Sequence, residues 1–376
     1  MPACDVLVIG AGIVGAACAA ALLDEGMSVI VVDAGQPGGG VTAAGMGHLV
    51  ALDENPAELD LCLLSLERWN RFMNEHPAVG EPHRCGTLWV AEDAEQLAHA
   101  EARAERLCAR GWSAELVRGA ELARVEPMLR AGLAGALRVG GDGVIYPPAV
   151  AYHLIEEARQ RGASVLTGRR VSALGPHSVL LEDGARLAAA HVVVAAGVEV
   201  ARLLPDVPVF PRKGHLAITD RYAGALRHQV VSMAYGQPEG GADRLAVAAN
   251  IQPRPTGQLL VGSCRQDGQD DTSVDLAVTG AVLRAAIGLL PALAGMRIVR
   301  TWAGLRPATP DGLPLIGAYP GQPDVWLAVG HEGLGVTTAF GTAQLVAAQI
   351  AGRACPIDAA PFAPARLMKQ GRADAA

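Results

Sequence analysis

At 376 residues the chain is too long for one compact core, so two domains are expected. Its 51% hydrophobic and 18% charged content fits a globular protein, and a net charge of -7 without a basic run speaks against nucleic acid as a partner. Seven cysteines, with no CxxC pair and no cluster spaced for zinc or iron–sulfur, read as reduced thiols of a cytoplasmic protein with no metal centre of its own.

Residues 4–33, CDVLVIGAGIVGAACAAALLDEGMSVIVVD, predict a strand, a tight turn, a helix and a second, parallel strand. Gly10 permits the turn, Gly12 lets backbone approach a pyrophosphate, and Gly15 lets the helix pack closely on the strand. Ile13 and Val14 lie at the helix N-terminus, whose N–H groups point at phosphate. Asp33, about 20 residues after Gly12, is placed to accept hydrogen bonds from a ribose 2′-OH and to repel a 2′-phosphate, which disfavours NADP. The uncharged span Val6 to Leu23 has the length of a membrane helix. Its early glycines and the flanking Asp5, Asp24 and Glu25 count against spanning, and no Lys or Arg precedes it as in a signal peptide. A buried Gly/Ala-rich hairpin is the remaining alternative, and the flanking strands and terminal acid argue against it.

After Asp33, QPGGGVTAAGMGHL reads as a loop of small residues able to bring backbone against a flat ligand, or else as a mobile surface loop. Ala57 to Glu75 predicts a helix, CGTLWVA from Cys85 a strand, and residues 93–110 an exposed Ala-rich helix. Gly140, Gly141 and Gly143 make a turn, and Pro147-Pro148 opens a helix that Gly162 ends. The strand ASVLTGRRVSAL and a hairpin at Asp183-Gly184 follow. His191 to Ala196 reads as a parallel strand buried on both faces. It ends at Ala196 and Gly197, where backbone meets ligand unless Gly197 merely closes the strand. Between 205 and 300, HLAIT, QVVSMA, LAVAANI and QLLVGSC predict an antiparallel sheet, with a helix from Val274 to Leu290. TWAGLRPATPDGLPLIG sets Arg306 in a Pro-rich loop. WLAVGHEGLGVTTAFGTAQLVAAQIAG is strand, Gly loop and helix, with Thr337 and Thr338 placed to cap the helix or meet a ligand and positive potential at its N-terminus. The tail beyond Gly352 reads as irregular.

With these pieces in place, nearly the whole chain resembles the D-amino-acid oxidase-like family of FAD-dependent amine and amino-acid oxidoreductases. That family includes glycine oxidase, sarcosine oxidase and the D-amino-acid dehydrogenases. The specific segments are the N-terminal fingerprint, TAAGMG at Thr42 to Gly47, WAGLRPATPDGLPLIG from Trp302, and GHEGLG from Gly330. The resemblance implies FAD as cofactor, with Gly10, Gly12, Gly15, Asp33 and Ala34 serving its ADP part. It sets Thr42, Ala43, Ala44, Gly45, Met46 and Gly47 on the flavin, and Val171 on the adenine through its backbone. Gly330, His331, Glu332, Gly333, Leu334, Gly335, Val336 and Thr337 would close over the flavin carbonyls. Arg306 matches the arginine that binds the substrate carboxylate.

Within the family, TAAGMGHLV, GDGVIYPP, PRKGHL and GHEGLGVTT are similar to the flavin-bearing subunits of bacterial D-hydroxyproline dehydrogenases. That narrower resemblance implies a D-hydroxyproline or D-proline substrate. It also implies iron–sulfur and flavin companion subunits in a hetero-oligomer. Two departures from the family matter. Flavin-linked sarcosine oxidases carry a cysteine just before the TPD segment, where this chain reads Gly304-Leu305-Arg306, so FAD is expected to be noncovalent. They also carry a lysine over the flavin that assists reaction with oxygen, where QLLVGS has Leu260, which favours a dehydrogenase. A second arginine of glycine oxidase falls at Gly333.

The expected fold is therefore α/β and α+β. A Rossmann-like FAD-binding domain (1–84, 146–205 and 300–376) combines with a discontinuous antiparallel-sheet substrate domain (85–145 and 206–299). Arg306 offers a bidentate, charge-assisted fit to a carboxylate, against the alternative of a loop brace. His48 and His331 flank flavin-contacting glycines, and each either handles the substrate amine or is a structural histidine. Arg212, Lys213 and His215 read as framework. The expected chemistry is oxidation of a D-amino acid at Cα. An oxygen-using oxidase and a non-catalytic FAD-binding subunit are the rival readings.

Overall fold

The computed structural model describes residues 4–52, 55–234 and 245–368. Its strands form two large sheets, with helices packed on both. The first sheet is built on three parallel strands, Arg186–Val194, Cys4–Ile9 and Val29–Asp33, with Val6 opposite both His191 and Val29. Val6, Leu7 and Val8 are fully buried, as expected of a β-branched strand covered on both faces. Ser164–Thr167 extends the sheet on one side, and Val325–Val329 with antiparallel Leu315–Ala318 extends it on the other. The helix Ile13–Asp24 is apolar all round because it lies between this sheet and the helices Pro147–Gln160 and Ala339–Ile350.

The helix Pro56–Glu75 is started by Asn55, whose side chain accepts from the Ala57 N–H at 2.9 Å, and by proline in its first turn. Trp69, at its centre, is fully buried. Its Nε1 donates to the carbonyls of Val336 and Thr337 at 3.0 and 3.1 Å, tying the helix to the last Gly loop.

The second sheet runs Ile298–Ala308, Phe210–Arg221, Gln258–Asp267, Leu245–Pro253, Gln229–Ser232, Thr87–Ala91, Gly135–Val139, Ala114–Val117. All its pairings are antiparallel except Gln229–Ser232 with Thr87–Ala91, which is parallel, so the sheet is mixed. The helix Leu276–Leu289, capped by Asp275, buries Val278, Val282, Ala286 and Leu289 against it.

Three local expectations are corrected. The stretch read as a Pro-rich loop around Arg306 is the strand Ile298–Ala308, paired along its length with Phe210–Arg221. It is an edge strand, where a proline such as Pro307 leaves no ladder bond unmade. The boundary expected at residue 300 falls inside this strand, and residues 300–308 lie in the second sheet. The strand expected over ASVLTGRRVSAL is two strands, Ser164–Thr167 and Val171–Gly175. Gly168, with φ +68°, breaks it, and the Arg169 N–H then donates to the Asp33 carbonyl at 2.9 Å. The small-residue loop after Asp33 contains a helical turn, Gly40–Ala44. Among the described residues, no helix is long and apolar enough to cross a membrane.

Candidate active site

A cavity of about 730 Å³ opens where the parallel strands of the first sheet end, and it runs under the second sheet. This is the crevice in which open α/β sheets take their ligands, and its size is in the upper part of the usual range for small-molecule sites.

The glycine cradle fits a dinucleotide. A Cβ at Gly15 would lie 1.9 Å from the Gly10 carbonyl oxygen, and one at Gly10 would lie 2.5 Å from that of Ala195. The turn, the helix and the neighbouring strand therefore touch backbone to backbone. Gly15 serves this packing and does not line the cavity. Gly12, Ile13 and Val14 do line it, at the helix N-terminus. Thr42 Oγ1 accepts from the Ile13 N–H at 3.0 Å, so the small-residue turn is fastened to that helix end. The Asp33 carboxylate accepts from the N–H groups of Ala11 and Gly35, both at 2.6 Å, which fixes it at the cavity edge beside Ala34. Val171, Ala196 and Gly197 complete this end.

At the other end, Ala44, Gly45, Met46, Gly47 and His48 form one wall. Met46 packs with Leu216 and Leu260 in an apolar cluster. Ala43 is exposed and outside the wall. A Cβ at Gly304 would lie 2.6 Å from Ala44 Cβ, so no side chain fits there without movement, and no cysteine is among the lining residues.

Arg306 faces this end. Its Nη1 donates to the Cys264 carbonyl at 2.8 Å and its Nη2 to Ser263 Oγ at 2.6 Å. Among the described residues, no carboxylate side chain lies within ion-pair distance of it. The guanidinium lies over Gly214, where a Cβ would be 2.6 Å from Nη2. Its cross-strand neighbour is Arg212, a like charge directly opposite and an arrangement that costs stability unless compensated. Compensation comes from Asp267, bidentate to Arg212 at 2.7 and 3.1 Å, and from Glu332, which is 3.3 Å from Arg212 and 3.2 Å from Arg265. Burial drives the Glu332 carboxyl upward, but Arg265, Arg306 and Arg212 together outweigh it and hold its pKa below the ordinary value. The framework role expected of Arg212 thus reaches into the Gly loop itself.

His48 is held by amides. Its Nδ1 lies 2.9 Å from Gln229 Oε1 and 2.7 Å from Gln252 Nε2, and its Nε2 lies 3.2 Å from Asn250 Nδ2, so side-chain amides surround both ring nitrogens. Burial first, then Arg306 and Arg254, lower its pKa to about 4 against the raising effect of Gln229. His331 is buried as well, with Nε2 3.0 Å from Thr342 Oγ1, and burial lowers its pKa to about 4. Both imidazoles are neutral at physiological pH.

The last Gly loop divides between sites. His331, Glu332, Gly333, Gly335 and Val336 line the main cavity, whereas Leu334 lines a second chamber of about 350 Å³ that shares His48, Glu332 and Gly333 with it. Gly330 lies outside both linings. Thr337 is also outside: its hydroxyl donates to the His48 carbonyl at 2.9 Å and accepts from the Val50 N–H at 3.3 Å. Thr338 Oγ1 donates to the Leu334 carbonyl at 2.8 Å, so neither threonine caps the helix Ala339–Ile350 with its side chain. Sequence reasoning missed Gly214, Leu216 and Ser263 in the cavity and the amides around His48. The period-two alternation Arg212, Gly214, Leu216 was the available signal for the first two.

The FAD dependent oxidoreductase family matches residues 5–349. Glycine oxidase of Pseudomonas aeruginosa is 30% identical over 393 residues, covering 96% of this chain and 98% of that protein. Hydrogen cyanide synthase subunit HcnC of the same organism is 26% identical over 423 residues, 97% of each chain. The crystal structure of glycine oxidase from Geobacillus kaustophilus superposes with a TM-score of 0.86 at 26% identity, over 96% of this chain and 98% of that one. The glycine cradle, the fixed acid and these matches agree: the chain belongs to the FAD-dependent oxidoreductases of the D-amino-acid oxidase (DAO) family.

Proposed function

We propose that this FAD-dependent amino-acid oxidoreductase oxidises a D-amino acid at Cα, with cis-4-hydroxy-D-proline or D-proline as substrate and an acceptor other than oxygen. The observation that carries the reading is Arg306. It is a guanidinium positioned by two hydrogen bonds on the cavity wall, with no carboxylate paired to it among the described residues. Its free N–H groups suit a substrate carboxylate bidentately. In this reading the parallel sheet with its helices is the FAD-binding domain and the mixed sheet is the substrate domain.

Gly10, Gly12, Ile13, Val14, Asp33, Ala34 and Val171 would hold the ADP part of FAD, and Ala44 to Gly47 with His331, Glu332, Gly333, Gly335 and Val336 would hold the flavin. Bound FAD supplies the two-electron acceptor for the α-hydrogen. Arg306 aligns Cα by gripping the carboxylate, and the apolar cluster of Met46, Leu216 and Leu260 excludes water beside it. His48, neutral and with both ring nitrogens engaged, orients this wall rather than taking the amine proton. The family resemblance sets Leu260 where oxidases carry a lysine, which supports an acceptor other than oxygen, and HcnC, named as a subunit, supports a reading with companion iron–sulfur and flavin subunits. The seven free cysteines support a reducing, cytoplasmic setting.

A second reading, an oxygen-using glycine or D-amino-acid oxidase, is favoured by the similarity to glycine oxidases. Anaerobic bleaching of the flavin across D- and L-amino acids, followed by admission of air, separates the two. The proposal expects fast bleaching by cis-4-hydroxy-D-proline or D-proline, slow reoxidation by air and rapid reoxidation by a dye. Rapid peroxide formation without added acceptor transfers the protein to the oxidase reading, and no bleaching by any amino acid removes the catalytic role.

A further inference from the structure

Away from the cavity, the fold brings together three metal-ligating side chains that lie far apart in the sequence. His76 follows the last residue of the helix Pro56–Glu75, and its N–H donates to the Phe72 carbonyl at 2.8 Å. His153 and Glu157 are one turn apart on the helix Pro147–Gln160 and so share a face. One donor atom from each of the three lies within 4.8 Å of the others, and His153 Nε2 is 3.8 Å from Glu157 Oε2. That Nε2 is buried and has no hydrogen-bond partner among the described residues. The two rings meet edge to face at 4.6 Å, and Phe72 packs edge-on against His153 at 5.8 Å, closing the apolar side of the group.

We propose that His76, His153 and Glu157 form a divalent metal site, with Zn²⁺ the ion their chemistry favours. Two imidazoles and one carboxylate suit zinc, whereas calcium and magnesium select oxygen ligands. Bonds of about 2.0–2.2 Å to a tetrahedral ion set ligand atoms roughly 3.4 Å apart. The separations present, up to 4.8 Å, would have to contract by at most about 1.4 Å on binding the ion. Water takes the fourth position.

The ion would clip together two helices that brace the FAD cavity from different sides. The first holds Val336 and Thr337 through Trp69. The second begins just after Ile145, whose N–H donates to the Gly47 carbonyl at 2.9 Å. The expectation of no metal drawn from cysteine spacing could not register such a site, because its ligands are set by helix packing.

Calorimetric titration of Zn²⁺ into tag-free, EDTA-treated, flavin-loaded protein tests this. One equivalent should bind, with affinity at least about tenfold weaker in Glu157→Gln and lost in a His76→Ala/His153→Ala double variant. His99→Ala, which removes an exposed histidine on another helix, should bind as the unaltered protein does. Flavin absorbance and far-UV circular dichroism check that the variants are folded. Zinc-edge anomalous diffraction from the unaltered protein gives a readout that needs no variant, and a peak between the three side chains is expected. Absence of that peak, or zinc binding unchanged in the folded double variant, overturns the proposal.

Discussion

Replacing Gly214 by alanine disturbs the guanidinium proposed to bind substrate without touching its charge. The new Cβ would lie 2.6 Å from Arg306 Nη2, 2.8 Å from Cζ and 2.9 Å from Nη1. Non-bonded heavy atoms settle at about 3.5 Å, so the guanidinium has to retreat by roughly 0.8 Å. The bonds to Ser263 Oγ and the Cys264 carbonyl, at 2.6 and 2.8 Å, leave little room for a free adjustment. A displacement of ~1 Å in a positioning group can cost about 10²-fold in rate. Stopped-flow flavin reduction under anaerobic conditions should therefore show kcat/KM falling by about 10- to 100-fold. Flavin content should be unchanged, because the ADP cradle lies at the other end of the cavity. Reduction at the unaltered rate with full flavin content would refute the positioning role, and loss of flavin would show that Gly214 serves the cofactor instead.

Asp33→Ala removes the acceptor of two backbone N–H groups and the acid proposed to meet the ribose, so FAD retention should weaken by about 1–3 kcal/mol, measured by fluorimetric titration of the apoprotein. His331 has its pKa lowered from 6.5 to about 4 in the fold, so its neutral form stabilises the protein above pH 6.5. That stability is lost as pH falls from 6.5 toward 4, a loss of roughly 2 to 3 kcal/mol by pH 4.5. Urea denaturation of His331→Gln at pH 8 and pH 4.5 should accordingly show a smaller loss with acidification than the unaltered protein, and an identical loss would mean that His331 titrates normally.

The nucleotide half was legible because its chemistry is local. Three glycines, the strands around them and Asp33 all lie within one short segment; Gly10 and Gly15 are forced by backbone contacts, and Gly12 by the Thr42 hydroxyl. Arg306 was legible by its segment but not by its conformation. Gly304 and Pro307 read as loop residues, and only the edge position of their strand makes the proline harmless. The arrangement around Arg306 was not legible at all. Arg212, Arg265 and Glu332 belong to separate elements, and their mutual neutralisation follows from packing rather than spacing. The same holds for Thr337, whose hydroxyl fastens the helix segment to His48 rather than facing a ligand. His48 looked like a candidate base until Gln229 and Asn250, from two strands of the second sheet, were seen to occupy its nitrogens.

The central claim, that Arg306 grips the carboxylate of the amino acid being oxidised, is tested most directly by Arg306→Lys. Anaerobic flavin reduction by D-proline and by its methyl ester should be compared in both proteins. A lysine retains the charge but not the bidentate geometry, so the free acid should lose at least about 10²-fold in kcat/KM. The ester, which has no carboxylate to lose, should change far less, with FAD still bound. Equal losses for acid and ester, or loss of flavin together with activity, would contradict the account and leave Arg306 as a brace between its strand and the Ser263–Cys264 backbone.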